Sequence, residues 1–160
     1  MILGIDPSVV KWTGWCLLDD ATLYAYGRLS AEQVRDWPVR EALLKQATSL
    51  AIEDQYMGAN AKVYGQLVAA REAWAVPARD LYRLPVTLIQ PPEWQRAISG
   101  DRRWNTKGMR VDWEAIFAYL RRRYQQAIVE LTKDQAAAIG IATYWRDANL
   151  IATMQRTVGA

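Results

Sequence analysis

The sequence predicts an α/β domain in which helices flank a five-stranded mixed sheet, and three observations lead to that prediction. Its 160 residues are enough for one compact domain with a core of its own, and 51% of them are hydrophobic. Short apolar runs typical of strands alternate with longer segments whose apolar residues have helical spacing. Two early runs lie on either side of the turn signal Asp19-Asp20 and predict an antiparallel hairpin. We therefore expect residues 1–160 to form a single domain.

Five strands are expected in chain order. The first is a run of Ile and Leu that ends in Asp6, and the fourth is a similar run that ends in Glu53. The second and third strands form the hairpin, and the fifth is closed by Pro91-Pro92, which cannot continue a sheet ladder. The predicted strands are 1–6, 12–19, 22–29, 50–54 and 85–89.

Helices are expected between and after these strands. The segment 32–46 has helical spacing but contains Pro38, so we expect its helix to begin near that residue, where proline is tolerated in the first turn. Thr132 and Gln135 have capping-box spacing, which would place Asp134 in the first turn of the last helix. The other predicted helices are 60–74, 93–98 and 111–124, and the last runs from 133 to about 146, followed by a weakly specified tail.

Acidic residues stand where these elements end or begin. Burying an ionised carboxylate such as Asp6 at the end of an apolar strand is costly without a partner or a metal ion, although Asp-Pro-Ser also forms ordinary turns. Glu53 repeats the pattern at a second strand end, and Asp134 adds an acid at a helix start. Three oxygen ligands of this kind suit the hard cations Mg²⁺ and Mn²⁺. The chain has no His, so few other catalytic designs remain.

The remaining composition narrows the class of protein. A lone Cys16 in an apolar segment excludes an internal disulfide within the chain and favours a small buried side chain. The first residues run straight into a strand, and no apolar stretch approaches the 18 or so residues of a membrane span, so we expect no signal peptide and no membrane partner. These features together predict a cytoplasmic protein.

The sequence resembles the RuvC family of Holliday junction resolvases, which belong to the ribonuclease H-like superfamily. The resemblance is carried by Ile-Leu-Gly-Ile-Asp-Pro-Ser at residues 2–8 with the following Thr-Gly-Trp, by Ala-Ile-Glu ending at Glu53, and by Asp134 leading into Ala-Ile-Gly-Ile-Ala. It implies a ribonuclease H-like fold and a homodimer that nicks two symmetry-related strands of a four-way DNA junction. It also implies two Mg²⁺ or Mn²⁺ ions held by Asp6, Glu53 and Asp134, in a bacterial cell or a phage-infected host.

The fourth acid of the family pattern is missing here. The resemblance places it one helical turn after Asp134, where this chain has Ala137. Three explanations stand: an engineered inactivating replacement, which we favour, a natural three-acid site helped by Asp54 or Glu130, or a junction-binding protein that has lost cleavage. Ala137 is therefore part of the predicted catalytic position although it cannot bind a metal ion.

Basic residues predict where nucleic acid binds. Net charge is only +3, but Arg outnumbers Lys among the 20 basic residues, and Arg suits phosphate oxygens. One basic group lies in a segment with Gly, Trp and Asn that we expect to be a binding loop. A second, at residues 121–123, is explained equally well by a solvated helix face. The predicted DNA-binding residues of the first group are Arg96, Arg102, Arg103, Lys107 and Arg110.

Two of the predicted DNA contacts have more specific roles implied by the resemblance. Lys107 lies where the family has a basic residue near the scissile phosphate, and it would neutralise charge in the transition state. An exposed loop lysine is the alternative. Tyr56 follows the second acid and matches the position of an aromatic residue that the family inserts at the junction centre, although core or dimer packing explains it equally well.

Overall fold

A computed structural model describes residues 1–9, 12–54, 61–100, 111–125 and 130–158 of the chain. Within these ranges five strands form one sheet with the order β3-β2-β1-β4-β5. The strands β1, β2 and β3 pair antiparallel, whereas β4 pairs parallel with both β1 and β5. This confirms the predicted five-stranded mixed sheet. The strand bounds are Ile2–Asp6 (β1), Trp12–Asp19 (β2), Thr22–Ser30 (β3), Ser49–Glu53 (β4) and Val86–Ile89 (β5).

Helices cover both faces of the sheet. The bounds are Ala31–Arg35 (α1), Trp37–Leu44 (α2), Ala61–Asp80 (α3), Pro91–Ser99 (α4), Trp113–Arg123 (α5) and Lys133–Val158 (α6). One face carries α1, α2 and α3 over a core that includes Trp74 and Ile52, and the other carries α4, α5 and α6 over a core that includes Trp94 and Ile139. Each of these four side chains is fully buried, so the sheet is apolar on both faces.

The segment before Pro38 differs from the prediction. A helix does begin at the expected place, since α2 starts at Trp37 with proline in its first turn. A separate short helix, α1, precedes it because Ser30 and Gln33 form a capping box: the Ser30 amide donates to Gln33 Oε1 at 2.9 Å, and the Gln33 amide donates to Ser30 Oγ. The Ser30–Gln33 spacing is therefore the sequence signal for α1, separate from the Pro38 signal for α2.

Two helices run further than predicted. The helix α3 continues through Pro77 to Asp80, and the buried Trp74 and Ala78 hold that part against the sheet. The helix α6 ends at Val158 rather than near residue 146, because its last turns contain good helix formers such as Ala, Leu, Met and Gln. In the described part of the chain no helix is long and apolar enough to cross a membrane.

The helix α6 lies directly on the centre of the sheet. A Cβ atom at Gly4 in β1 would overlap the carbonyl oxygen of Ala138, so only glycine permits this approach. In the neighbouring strand, Cys16 Sγ donates to the same carbonyl at 3.3 Å. Burial raises the pKa of the Cys16 thiol to about 12, as expected of the small core residue that the sequence predicts. The second turn of α6 is thereby held against the middle of β1, two residues before Asp6.

Candidate metal centre

Asp6 and Glu53 lie side by side at one end of the sheet. The parallel strands β1 and β4 pair Ile5 with Ile52, so the next residue of each strand stands at the same edge. Parallel strands end at the same edge of a sheet, and for this reason two acids far apart in sequence become neighbours. The shared edge is the C-terminal end of the parallel part of the sheet, where α/β proteins commonly bind ligands.

Asp134 reaches the same edge from α6. Its helix begins with the predicted capping box: the Thr132 amide donates to Gln135 Oε1 at 2.9 Å, and the Gln135 amide donates to Thr132 Oγ1 at 3.4 Å. The Asp134 backbone rests on Gly14, since a Cβ atom there would overlap its carbonyl oxygen. Gly14 is the β2 partner of Asp6 in the antiparallel ladder. The fold therefore places Asp134 across the strand pair that ends in Asp6.

Burial and the neighbouring acids disfavour the ionised form of Asp6. Burial is the main cause that raises the pKa of Asp6 well above its ordinary value, and the charges of Glu53 and then Asp134 raise it further. Burial likewise raises the pKa of Glu53 to about 7, although a hydrogen bond from Trp94 opposes that shift. Within the described residues no cationic side chain forms an ion pair with any of the three. Among the described residues, therefore, no cationic side chain balances the charge of the acids at this edge.

This donor set fits the chemistry of a hard divalent cation. Carboxylate oxygens are the ligands that Mg²⁺ and Mn²⁺ prefer, and a bound cation would offset the repulsion among the acids. Among the residues that the structure describes, no three His, Cys, Asp or Glu side chains are placed so as to hold an ion as they stand. The three acids therefore lie near one another without forming a complete set of metal ligands. The assignment of Asp6, Glu53 and Asp134 as ligands stays a prediction.

Trp94 in α4 orients Glu53, and the sequence reasoning missed it. Its indole Nε1 donates to Glu53 Oε2 at 2.8 Å from a fully buried ring. The ring lies against Gly140 of α6, where a Cβ atom would come within 2.7 Å of it. The available signal was Pro91-Pro92 opening a helix straight after β5, since β5 is the neighbour of β4 and its end leads to the same edge. Trp94 acts as a positioning residue for the candidate ligand.

Replacing Trp94 with Phe should weaken metal binding while the fold is kept. Phe retains most of the buried ring but cannot donate to Glu53, so the pKa of Glu53 should rise above its value of about 7 in the wild type. Loss of such an outer hydrogen bond typically costs about 10- to 100-fold in metal affinity. Isothermal titration with Mn²⁺ at pH 7 measures the loss, and it should shrink as the pH is raised. An affinity equal to that of the wild type would show that Trp94 only packs.

Asp54, proposed above as a helper ligand, is already engaged. Its Oδ1 pairs with Arg71 Nη1 from α3, and its Oδ2 accepts from Gln90 Nε2 at 2.7 Å. Both carboxylate oxygens therefore tie the end of β4 to its neighbours. The other proposed helper, Glu130, is exposed at the start of the last described range. Asp54 is better understood as part of the support of the site than as a ligand.

The remaining predicted site residues fall into three groups. Ala137 lies in α6, one turn after Asp134, and its side chain is only 3% exposed and belongs to the core. Arg96 is exposed on α4, and because it follows Trp94 by two residues it lies on a different side of the helix from that ring. The others lie outside the described residues, and their predicted roles remain predictions: Tyr56, Arg102, Arg103, Lys107 and Arg110.

The strand order, the mixed pairing and the helix laid across the central strands define a ribonuclease H-like fold. The chain matches no protein-family model and no curated protein. Among solved structures it is similar to Thermus thermophilus RuvC, with a TM-score of 0.66 and 17% identity over 93% of this chain and 95% of that one. It is also similar to T. thermophilus RuvC in complex with a Holliday junction substrate, with a TM-score of 0.69 and 16% identity over 93% and 94% of the two chains. The fold is therefore RuvC-like, as the sequence motifs predicted.

Proposed function

We propose that this protein is a Mg²⁺- or Mn²⁺-dependent endonuclease that resolves four-way DNA junctions, that is, a crossover junction endodeoxyribonuclease. The observation that carries the proposal is the convergence of Asp6, Glu53 and Asp134 at one sheet edge of a RuvC-like fold. The similarity to a RuvC structure that contains a Holliday junction supports the choice of substrate. The site of action would be the cytoplasm of a bacterium or a phage-infected host.

The chain's own residues would divide the work between binding and positioning. Asp6, Glu53 and Asp134 would hold the ions, with Glu53 kept in place by Trp94. When bound, the metal ions supply an activated water and stabilise charge on the leaving 3′ oxygen. Lys107 would face the scissile phosphate and Tyr56 the junction centre. The products would be a 5′-phosphate and a 3′-hydroxyl, with no covalent intermediate on the protein.

A homodimer is part of the proposal because a four-way junction has two symmetry-related strands to cut. One protomer carries one candidate centre, so paired nicks require two copies. The helix α3 offers the best candidate interface, since Val63 and Val76 leave apolar surface exposed on it. Sedimentation at micromolar concentration should give a mass near twice the 18.2 kDa of the chain.

Restoring the missing acid tests the nuclease directly. The variant Ala137→Asp should cut an end-labelled four-way junction at paired positions in Mn²⁺, and EDTA should abolish the cuts. Parallel reactions with a flap, a duplex and an RNA–DNA hybrid establish the substrate, and the junction should be cut at least about tenfold faster. Preferred cutting of the hybrid or the flap would indicate a related nuclease with another substrate.

A junction-binding protein without nuclease activity is the second candidate. Ala137 favours this alternative, because it is buried in the core and supplies no ligand at the position of the family's fourth acid. Under this alternative, both the wild type and Ala137→Asp would bind the junction and neither would cut it. An equal and tight junction affinity of the two proteins, with no product in Mn²⁺, would replace the nuclease assignment by this one.

A further inference from the structure

Four side chains form a continuous ladder of cations and aromatic rings on one side of α5. Lys133 Nζ lies 5.7 Å from the Trp113 ring centroid, and the Trp113 and Phe117 centroids are 6.0 Å apart. At the other end, Arg121 Cζ lies 5.9 Å from the Phe117 centroid. Residues 113, 117 and 121 are four apart, so they follow one face of the helix. We call these four residues the cation–aromatic ladder.

Both cations of the ladder keep their charge available. Lys133 and Arg121 are exposed, and within the described part of the chain neither forms an ion pair with a carboxylate. The two rings are partly buried against the core, and they hold the cations in place from below. Stacking on an aromatic face restricts a flexible cation without neutralising it. Such a cation binds an anion with less loss of side-chain freedom.

The ladder begins at the candidate metal centre. Lys133 directly precedes Asp134 in α6, and the Trp113 ring lies 6.4 Å from the ring of Trp94, which donates to Glu53. From Trp113 to Arg121 the helix rises about 12 Å. A DNA strand advances about 3.4 Å for each nucleotide, so this length corresponds to about three nucleotides. The ladder therefore leads away from the centre over a distance suited to a short stretch of one strand.

We propose that the cation–aromatic ladder binds the phosphates of a DNA strand as it leaves the candidate metal centre. The inference rests on the proposed function, and it adds a path for the substrate. Lys133 would bind a phosphate close to the centre, and the planar guanidinium of Arg121 would bind one about three nucleotides away. Trp113 and Phe117 would position the two cations.

The ladder also divides the basic run 121–123 into separate roles. Arg121 belongs to the ladder, whereas Arg123 Nη2 pairs with Asp147 at 3.1 Å and a second nitrogen donates to Tyr119. Arg122 lines a cavity together with Thr22 of β3 and lies off the ladder. Because Arg121 and Arg122 are adjacent and both exposed, the second is a matched control for the first.

The salt dependence of binding tests the ladder. A labelled four-way junction is titrated with wild type, Arg121→Gln, Lys133→Gln and Arg122→Gln by fluorescence anisotropy, in EDTA so that the strands stay intact. Each lost phosphate contact should reduce the slope of log affinity against log salt by about 0.9. We expect this reduction, with about three- to tenfold weaker binding near 0.1 M salt, for Arg121→Gln and Lys133→Gln. Arg122→Gln should retain the slope and affinity of the wild type.

Two results would contradict the proposed role of the ladder, and they can be told apart. If the wild type binds the junction but Arg121→Gln and Arg122→Gln behave alike, the ladder does not bind DNA while the proposed function stands. If the wild type fails to bind the junction at all, the proposed function falls and the ladder falls with it. An equal effect of Arg121→Gln on junction and duplex affinity supports the ladder, because phosphate contacts carry no sequence or branch information.

Discussion

Replacing Asp6 with Asn is expected to lower the affinity for Mn²⁺ by at least about 100-fold, because loss of outer hydrogen bonds alone costs 10- to 100-fold. Asp6 is the central acid of the three, since the charges of both Glu53 and Asp134 raise its pKa. Asn keeps the size of the side chain but supplies no negative charge. Isothermal titration with Mn²⁺ at pH 8 measures the loss independently of any cleavage assay.

The same variant should be more stable than the wild type when no metal is present. Burial and two neighbouring charges disfavour the ionised Asp6 side chain, and Asn removes that charge. We expect a gain in the free energy of unfolding at pH 8, where the ionised form of Asp6 is the most disfavoured. Urea unfolding in EDTA measures it. If Asp6 served only to support the fold, Asp6→Asn would instead lower the free energy of unfolding.

Asp54→Asn is the matched control for Asp6→Asn. Asp54 follows Glu53 directly, but its carboxylate is paired with Arg71, which is only 14% exposed, and with Gln90. Removing its charge leaves Arg71 without this partner, and we expect a loss of about 1–3 kcal/mol in the free energy of unfolding. Mn²⁺ affinity should fall much less than in Asp6→Asn, because Asp54 supports the end of β4 and is not one of the proposed ligands. If Asp54→Asn abolished Mn²⁺ binding and Asp6→Asn did not, the candidate centre would be wrongly placed.

The sequence predicted where each of the three acids lies within its own strand or helix, because those signals are local. An apolar run that stops at a carboxylate predicts an acid at the edge of a sheet, and this applied to both Asp6 and Glu53. The Thr132–Gln135 capping box predicted the place of Asp134 within one helical turn. The parallel pairing of β1 with β4, which makes the first two acids neighbours, came only from the resemblance.

The residues that support the centre could not be predicted in the same way. Trp94 contacts Glu53 across 41 positions of sequence, and Arg71 contacts Asp54 across 17. Such pairs depend on how α4 and α3 pack against the sheet, which periodicity does not determine. Gly14 is another example. It is recognisable in the sequence as a motif residue, but only the packing of α6 shows that the Asp134 backbone contacts it. Tertiary packing therefore supplied what local patterns lacked.

The metal-free protein should lose stability as the pH rises from about 4.5 to about 7. In the unfolded chain Glu53 has an ordinary pKa of 4.5, whereas burial raises it to about 7 in the fold. Between these values the folded state binds more protons than the unfolded state, so the free energy of unfolding falls with increasing pH. The total fall in the free energy of unfolding from the Glu53 titration amounts to up to about 3 kcal/mol. The raised pKa of Asp6 acts in the same direction.

The comparison of wild type with Glu53→Gln isolates this contribution from other titrating groups. Gln accepts the indole hydrogen bond of Trp94 but has no charge, so in EDTA the variant should become the more stable of the two as the pH passes 7. Mn²⁺ at millimolar concentration should reverse the order at pH 8, since an ion that binds only the folded wild type adds RT ln(1 + [Mn²⁺]/Kd) to its stability. Urea unfolding at pH 5, 6, 7 and 8 gives both curves. Parallel curves in EDTA would mean that the fold does not raise the pKa of Glu53. If Mn²⁺ left the stability of the wild type unchanged, the three acids would not bind the ion.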